Sequence, residues 1–232
     1  PGYTFEQVEL NDFDKLIPKD IAVNTSSITS SGSLGLSYDS RDNVFDPSRG
    51  SRFSMSWRMA GGPFGGDISF TKETLTYSWF LPLFWRVVFG ANAVAGTVSQ
   101  FGKTGDVPIY EKFFVGGSES VRGYNFRGEI GPNEGARYMS YVNAEIKFPL
   151  VSERGRTILQ WAFFYDVGGA WGDIGGLQLQ PGPGPTQTKG GAGMGIRFKT
   201  PVFPIRLDWG YGFNHKAGEE PSQFYFTIGS VF

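Results

Sequence analysis

At 232 residues the chain is long enough for one large β domain or two small ones. Its 34 glycines, 16% aromatic residues and only 19% charged residues argue against disorder, which goes with few aromatics and abundant charge. A net charge of −1 supplies no basic field for nucleic acid, and the absence of cysteine excludes a disulfide framework and a thiol nucleophile. A single histidine, His215, read as a loop residue, argues against a zinc site or a Ser-His-Asp triad, and neither a metal nor a cofactor is expected.

No run of about 18 apolar residues exists, so no transmembrane helix is predicted. A membrane-spanning strand needs only about 9–11 residues of alternating polarity, and the mean hydropathy of −0.21 accommodates such strands as well as those of a soluble β protein.

Period-two alternation recurs along the chain. After a weaker strand near residues 3–10, Leu34, Leu36 and Tyr38 oppose Ser37, Asp39 and Arg41. In residues 51–60, Phe53, Met55, Trp57 and Met59 oppose Arg52, Ser54, Ser56 and Arg58. Leu75, Tyr77, Trp79 and Leu81 then oppose Lys72, Thr74, Thr76 and Ser78, and Trp85, Val87, Phe89, Ala91, Ala93 and Ala95 oppose Arg86, Gly90 and Asn92. Val142, Ala144, Ile146 and Phe148 oppose Asn143, Glu145 and Lys147, and the next strand sets Leu159, Trp161, Phe163, Tyr165 and Val167 against Gln160, Ala162, Phe164 and Asp166. In 190–199, Ala192, Met194, Ile196 and Phe198 alternate with Gly191, Gly193, Gly195, Arg197 and Lys199; this glycine-lined face suits close packing. Residues 203–213 set Phe203, Ile205, Leu207, Trp209, Tyr211 and Phe213 against Arg206, Asp208, Gly210 and Gly212. The last strand, 223–232, places Phe224, Phe226, Ile228 and Phe232 on one face. The count is about ten strands, an even number compatible with an up-and-down barrel.

The connections alternate in length. Those at residues 42–50, 81–83, 149–156 and 200–204 are short and fall on one rim; those at 99–137, 172–189 and 214–222 are longer and fall on the other. A soluble β-sandwich also alternates, but strands longer than the usual ~5–6 residues and one-sided loops favour an all-β transmembrane antiparallel barrel. Aromatics near strand ends, Trp79, Phe80, Trp85, Trp171, Phe203 and Phe232, suit interfacial girdles.

Four ordered motifs carry a family resemblance. Residues 113–124 read Phe-Phe-Val-Gly-Gly-Ser-Glu-Ser-Val-Arg-Gly-Tyr, within the longest loop. Residues 39–43, Asp-Ser-Arg-Asp-Asn, are followed by 47–50, Pro-Ser-Arg-Gly; residues 164–168 read Phe-Tyr-Asp-Val-Gly; and the chain closes on 223–232, Gln-Phe-Tyr-Phe-Thr-Ile-Gly-Ser-Val-Phe. Together they resemble the outer-membrane protein insertase (bacterial surface antigen) family over nearly the whole chain. The resemblance implies a barrel of about sixteen strands, larger than the smallest barrels of eight, preceded by periplasmic POTRA domains. Residues 1–232 would then be the C-terminal part of the barrel, with 99–137 as its long extracellular loop.

The loop motif poses a physical problem of its own. If the loop folds into the lumen, Arg122 of Val121, Arg122, Gly123 and Tyr124 needs an anionic partner. The inward face offers Glu145 and Asp166, on neighbouring strands either side of a short turn, and one guanidinium can bridge two carboxylates. The resemblance implies this same tether. The alternatives are a solvated loop arginine, or a paired-carboxylate glycosidase, for which no sugar groove is evident.

The terminal strand, with Phe224, Phe226, Ile228, Gly229 and Phe232, would form one side of the barrel seam that the resemblance implies opens to template incoming strands; Gly229 would weaken or kink it. The function so implied is not enzymatic: folding and insertion of client β-barrels in the bacterial outer membrane. Its implied partners are unfolded client proteins, assembly-complex lipoproteins, and membrane lipids with lipopolysaccharide. A passive pore or polypeptide-secretion transporter, and a soluble β-sandwich binding module, are the competing classes.

Overall fold

The structure is a computed structural model describing residues 2–9, 26–153, 156–184, 186–199 and 204–229. Ten strands form one antiparallel meander: β1 Gly2–Glu9, β2 Ser26–Asp39, β3 Gly50–Ala60, β4 Phe70–Pro82, β5 Val88–Gln100, β6 Tyr138–Glu153, β7 Arg156–Trp171, β9 Gln187–Lys199, β10 Pro204–Gly212 and β11 Ser222–Ile228. The short β8, Gln178–Pro181, pairs in parallel with β9 off this path. Sequence alternation missed β8 because four residues beside Gly-Pro turns carry no periodic signal.

Parity decides which face each residue takes. Leu75, Tyr77 and Trp79 of β4, Phe163 and Tyr165 of β7, and Leu207 and Tyr211 of β10 are exposed on the outer face. Their neighbours Ser78, Phe164, Asp166, Arg206 and Asp208 are buried on the inner face. Outward apolar and inward polar residues invert the pattern of a soluble barrel and match a wall facing lipid.

The connections segregate as expected. Those at 40–49 and 83–87 lie on one rim, and those at 61–69, 101–137, 172–186 and 213–221 lie on the other. Loop 101–137 folds back over the inner face. Its Val107, Val115, Val121 and Tyr124 join Phe70 and Val98 of the wall in the main apolar cluster, so the core sits inside the curve of the sheet and is largely supplied by the loop.

Two expectations change. Phe80 and Trp171 are not girdle residues, since each is only 2% exposed. Phe80 shares the inward parity of Ser78, and the Nε1 of Trp171 donates to the Thr186 carbonyl at 2.6 Å under the 172–186 loop. Within the described residues the last strand runs from Ser222 to Ile228, and Gly229 adopts φ +130°, outside extended geometry; residues 230–232 of the expected strand lie outside the described residues. Phe203 and Phe232 lie outside the described residues.

Among the described residues β1 pairs only with β2 and β11 only with β10, so the sheet is an open wall with two free edges.

Candidate functional site: an arginine-centred tether inside the barrel wall

Cross-strand register builds the seat of the loop before any side chain is considered. Ser78, Asn92, Asn143, Asp166, Gly191 and Gly212 form one continuous rung across β4, β5, β6, β7, β9 and β10. The next rung holds Glu145, Phe164, Gly193 and Gly210. Each rung is therefore polar or aromatic on β6 and β7 and bare backbone on β9 and β10.

The loop tip lies across this boundary. Its own turn is closed by the Ser120 hydroxyl, which accepts from Gly116 N at 2.8 Å and donates to the Gly116 carbonyl at 2.9 Å, and by Gly117 N donating to the Tyr124 carbonyl at 2.9 Å. Gly123 sits at φ +99°, a conformation that favours glycine. The glycine face of β9 and β10 admits its backbone: a Cβ at Gly191 would overlap the Arg122 carbonyl oxygen, and one at Gly210 would stand 2.7 Å from Gly123 N.

Arg122, 1% exposed, makes a bidentate pair with Asp166, from Nε to Oδ2 at 2.7 Å and Nη2 to Oδ1 at 2.9 Å, while its backbone N–H donates to the same carboxylate at 3.1 Å. Its Nη1 reaches Glu145 at 3.1 Å and Asp208 at 3.5 Å. The guanidinium carbon lies 3.4 Å from the centroid of the Phe164 ring, adding a cation–π contact. Arg197 closes the cluster by bonding Glu145 at 2.8 Å and also pairing with Asp208, and Arg206 lies 3.5 Å from Asp208. Three guanidinium groups thus face three carboxylates, and the buried charge balances.

A chain of side-chain amides orients Asp166. Ser78 donates to Asn92 at 2.9 Å, Asn92 to Asn143 at 3.2 Å, and Asn143 to Asp166 at 2.9 Å, while the Asn143 amide also donates to the Ser120 carbonyl of the loop.

The C-terminal hairpin holds the other side of the tip. Tyr124 stacks on His215 with centroids 4.4 Å apart; its hydroxyl accepts from Asn214 N at 2.9 Å and donates to the Gly190 carbonyl at 3.0 Å. Burial pushes the Tyr124 hydroxyl up to about 12, with the Glu129 and Glu219 carboxylates adding to the shift. Glu219, in loop 213–221, is held below its ordinary value: burial opposes this, but Lys216 N donating at 2.7 Å, the Lys189 charge and His215 outweigh it. Further along, loop residue Glu111 pairs with Arg58 at 3.0 Å and Lys72 at 3.4 Å, so the loop is anchored from β3 to the C-terminal hairpin.

The structure brings Val121, Arg122, Gly123, Tyr124, Glu145 and Asp166 together. Phe224, Phe226 and Ile228 lie instead on the outer face of β11, 82%, 64% and 56% exposed, with Gly229 just beyond. Sequence reasoning missed Asp208, Arg197, Asn143, Phe164, His215 and Tyr225. The inward parity of the first four was visible; their convergence on one arginine depends on sheet curvature, which alternation does not encode.

The motif at residues 39–50 forms a self-bonded turn on the opposite rim. Asp42 accepts from Ser48 N at 2.8 Å and Arg49 N at 3.2 Å, and Asn43 accepts from Phe45 N at 2.9 Å. Asp46 pairs with Lys199 and lies 3.6 Å from Lys147, so this turn closes over the inner face from below.

Fold and site define a lipid-facing β-barrel wall with an ion-paired loop locked against its inner side. The chain belongs to the Omp85 superfamily, whose domain model matches residues 2–232. It is 28% identical over its whole length to the outer membrane protein assembly factor BamA of Nitratidesulfovibrio vulgaris, spanning 29% of that protein. It is 35% identical over 115 residues to the sorting and assembly machinery component 50 homolog of Mus musculus, covering 49% of this chain and 24% of that protein. The fold is shared with the crystal structure of BamA from Haemophilus ducreyi lacking POTRA domains 1-3, with a TM-score of 0.74 at 22% identity over 88% of this chain and 43% of that one. The family match and the bacterial BamA relatives place the chain in the bacterial outer membrane.

Proposed function

We propose that this chain is the loop-bearing wall of an outer-membrane protein insertase, which folds and inserts client β-barrel proteins. The observation that carries the reading is an ion-paired, seated loop beside a strand edge that has no partner strand among the described residues. Arg122 fixes the tip to β6, β7 and β10, while among the described residues β11 is paired on one side only. The unpaired N–H and C=O groups of such an edge can accept a further strand. Relatives named for outer-membrane protein assembly support it.

The partners follow from this role. Unfolded outer-membrane proteins are the clients, lipids and lipopolysaccharide surround the outer face, and assembly lipoproteins bind the complete protein. No bond chemistry is assigned to Glu145 and Asp166, since both are engaged by arginine.

The test reconstitutes the full-length protein in liposomes and follows client folding by heat-modifiable gel migration. Accelerated client folding, slowed by substitutions that weaken β11, is expected. Ion conductance without any acceleration of client folding would instead establish a passive pore.

A further inference from the structure

We propose that Tyr225 is a positioning residue that couples the terminal strand to the loop tip, so that opening of the β11 edge and release of the loop are one event. This rests on the insertase reading only for its biological use; the coupling itself is a property of the wall.

Among the described residues β11 pairs with β10 alone, through the register from Ile205 with Ile228 to Tyr211 with Ser222. Its outward side chains, Phe224, Phe226 and Ile228, face lipid. Of the inward ones, Gln223 and Thr227 flank Tyr225, and Tyr225 carries the bonds to the loop. Its hydroxyl accepts from Gly123 N at 2.9 Å and donates to the Tyr124 carbonyl at 2.9 Å. One oxygen thus uses both donor and acceptor capacity on the backbones of two consecutive residues of the Val-Arg-Gly-Tyr motif.

Geometry makes these bonds mutually dependent on strand position. Gly123 lies against the β10 backbone, where a Cβ would meet Gly212 N at 2.6 Å, and its carbonyl is bonded by His215 Nε2 at 3.0 Å. The tip therefore has no room to follow β11 outward across β10. Separation of β11 from β10 must break both Tyr225 bonds, or pull Gly123 and Tyr124 from their seat. Arg122, by contrast, is paired with β6, β7 and β10.

The test is hydrogen exchange on the full-length protein in lipid nanodiscs. In the wild type, amides of 222–228 and the Gly123 amide should open with a common rate and a common denaturant slope. Tyr225→Phe keeps the ring and removes both bonds. It should speed exchange at both places about tenfold, as expected for loss of two hydrogen bonds of ordinary strength. It should also separate their opening rates, which a merely structural role would leave joined. Independent opening in the wild type, or exchange unchanged by Tyr225→Phe in a variant that keeps its heat-modifiable migration, would overturn the coupling. The wild-type comparison decides the question even if the variant misfolds. Failure of the wild-type protein to accelerate client folding would remove the insertase reading and leave the exchange result standing.

Discussion

At the scale of single residues, Arg122 bears the largest consequence. Removing one member of a buried ion cluster leaves the others uncompensated, at a cost of about 3–5 kcal/mol. Arg122→Ala leaves Asp166 with Asn143 as its remaining side-chain donor and is expected to free the tip, seen as faster protease cleavage within 101–137 in folded, detergent-solubilised protein. Unchanged cleavage would show that the apolar residues of the loop suffice to seat it. Asp166→Asn combined with Arg122→Ala should be strongly non-additive, because the two substitutions remove one bidentate pair; additive effects would reject the coupling. Tyr124 gives a second handle. Its hydroxyl is raised from 10.0 to about 12 in the fold, so the fold favours the neutral phenol. Its contribution to stability is full below pH 10 and is lost as pH rises towards 12. Subtracting the tyrosinate absorbance titration of Tyr124→Phe from that of the wild type should isolate one step near 12; a step at 10 would mean the phenol is solvated.

At the scale of elements, the glycines of β9 and β10 act as a shaped surface. Gly191→Ala would thrust a methyl group at the Arg122 carbonyl, and overpacking of this kind costs about 1–3 kcal/mol. The expected result is faster cleavage within 101–137 than in the wild type. Gly35→Ala on β2, whose added carbon would have nothing nearer than the Met55 carbonyl at 4.0 Å, should leave cleavage unchanged. Equal behaviour of the two variants would show that the glycine face is not a seat. Much of this element scale was legible in the sequence. Alternation located the strands of the meander, set Asp166, Glu145, Arg197 and Asp208 facing inward, and marked the glycine face, because a period of two is a local property of the chain. Three-dimensional placement was not legible. Which of several inward carboxylates meets Arg122, or that Tyr225 reaches Gly123, depends on curvature bringing β7, β10 and β11 around one loop. The burial of Trp171 escaped notice for a related reason, since a covering loop overrides strand parity.

At the scale of the whole molecule, the open wall raises the question of what covers its edges. Along β1 and β11 the outer row of backbone N–H and C=O groups has no partner strand among the described residues. In a bilayer each unsatisfied group costs several kcal/mol, so neither edge can face lipid bare. Two arrangements remain: further strands of a longer barrel, or direct pairing of β1 with β11 into a smaller one. The 232 residues hold no cysteine, so a pair of cysteines engineered into them, with any cysteine elsewhere in the full-length protein replaced, separates the two arrangements. Thr4→Cys with Thr227→Cys should give no intramolecular cross-link in the full-length protein if additional strands lie between these edges, and the isolated chain should aggregate in detergent without a heat-modifiable form. A monomeric, heat-modifiable species that cross-links efficiently would instead establish a closed ten-stranded barrel. Its strands would have to tilt and curve more tightly than in a wider barrel, because diameter scales with strand number. The buried loop would then fill a larger share of the lumen, and β11, paired with β1, would offer no open edge to a client. The cross-link therefore reports on closure and on function together.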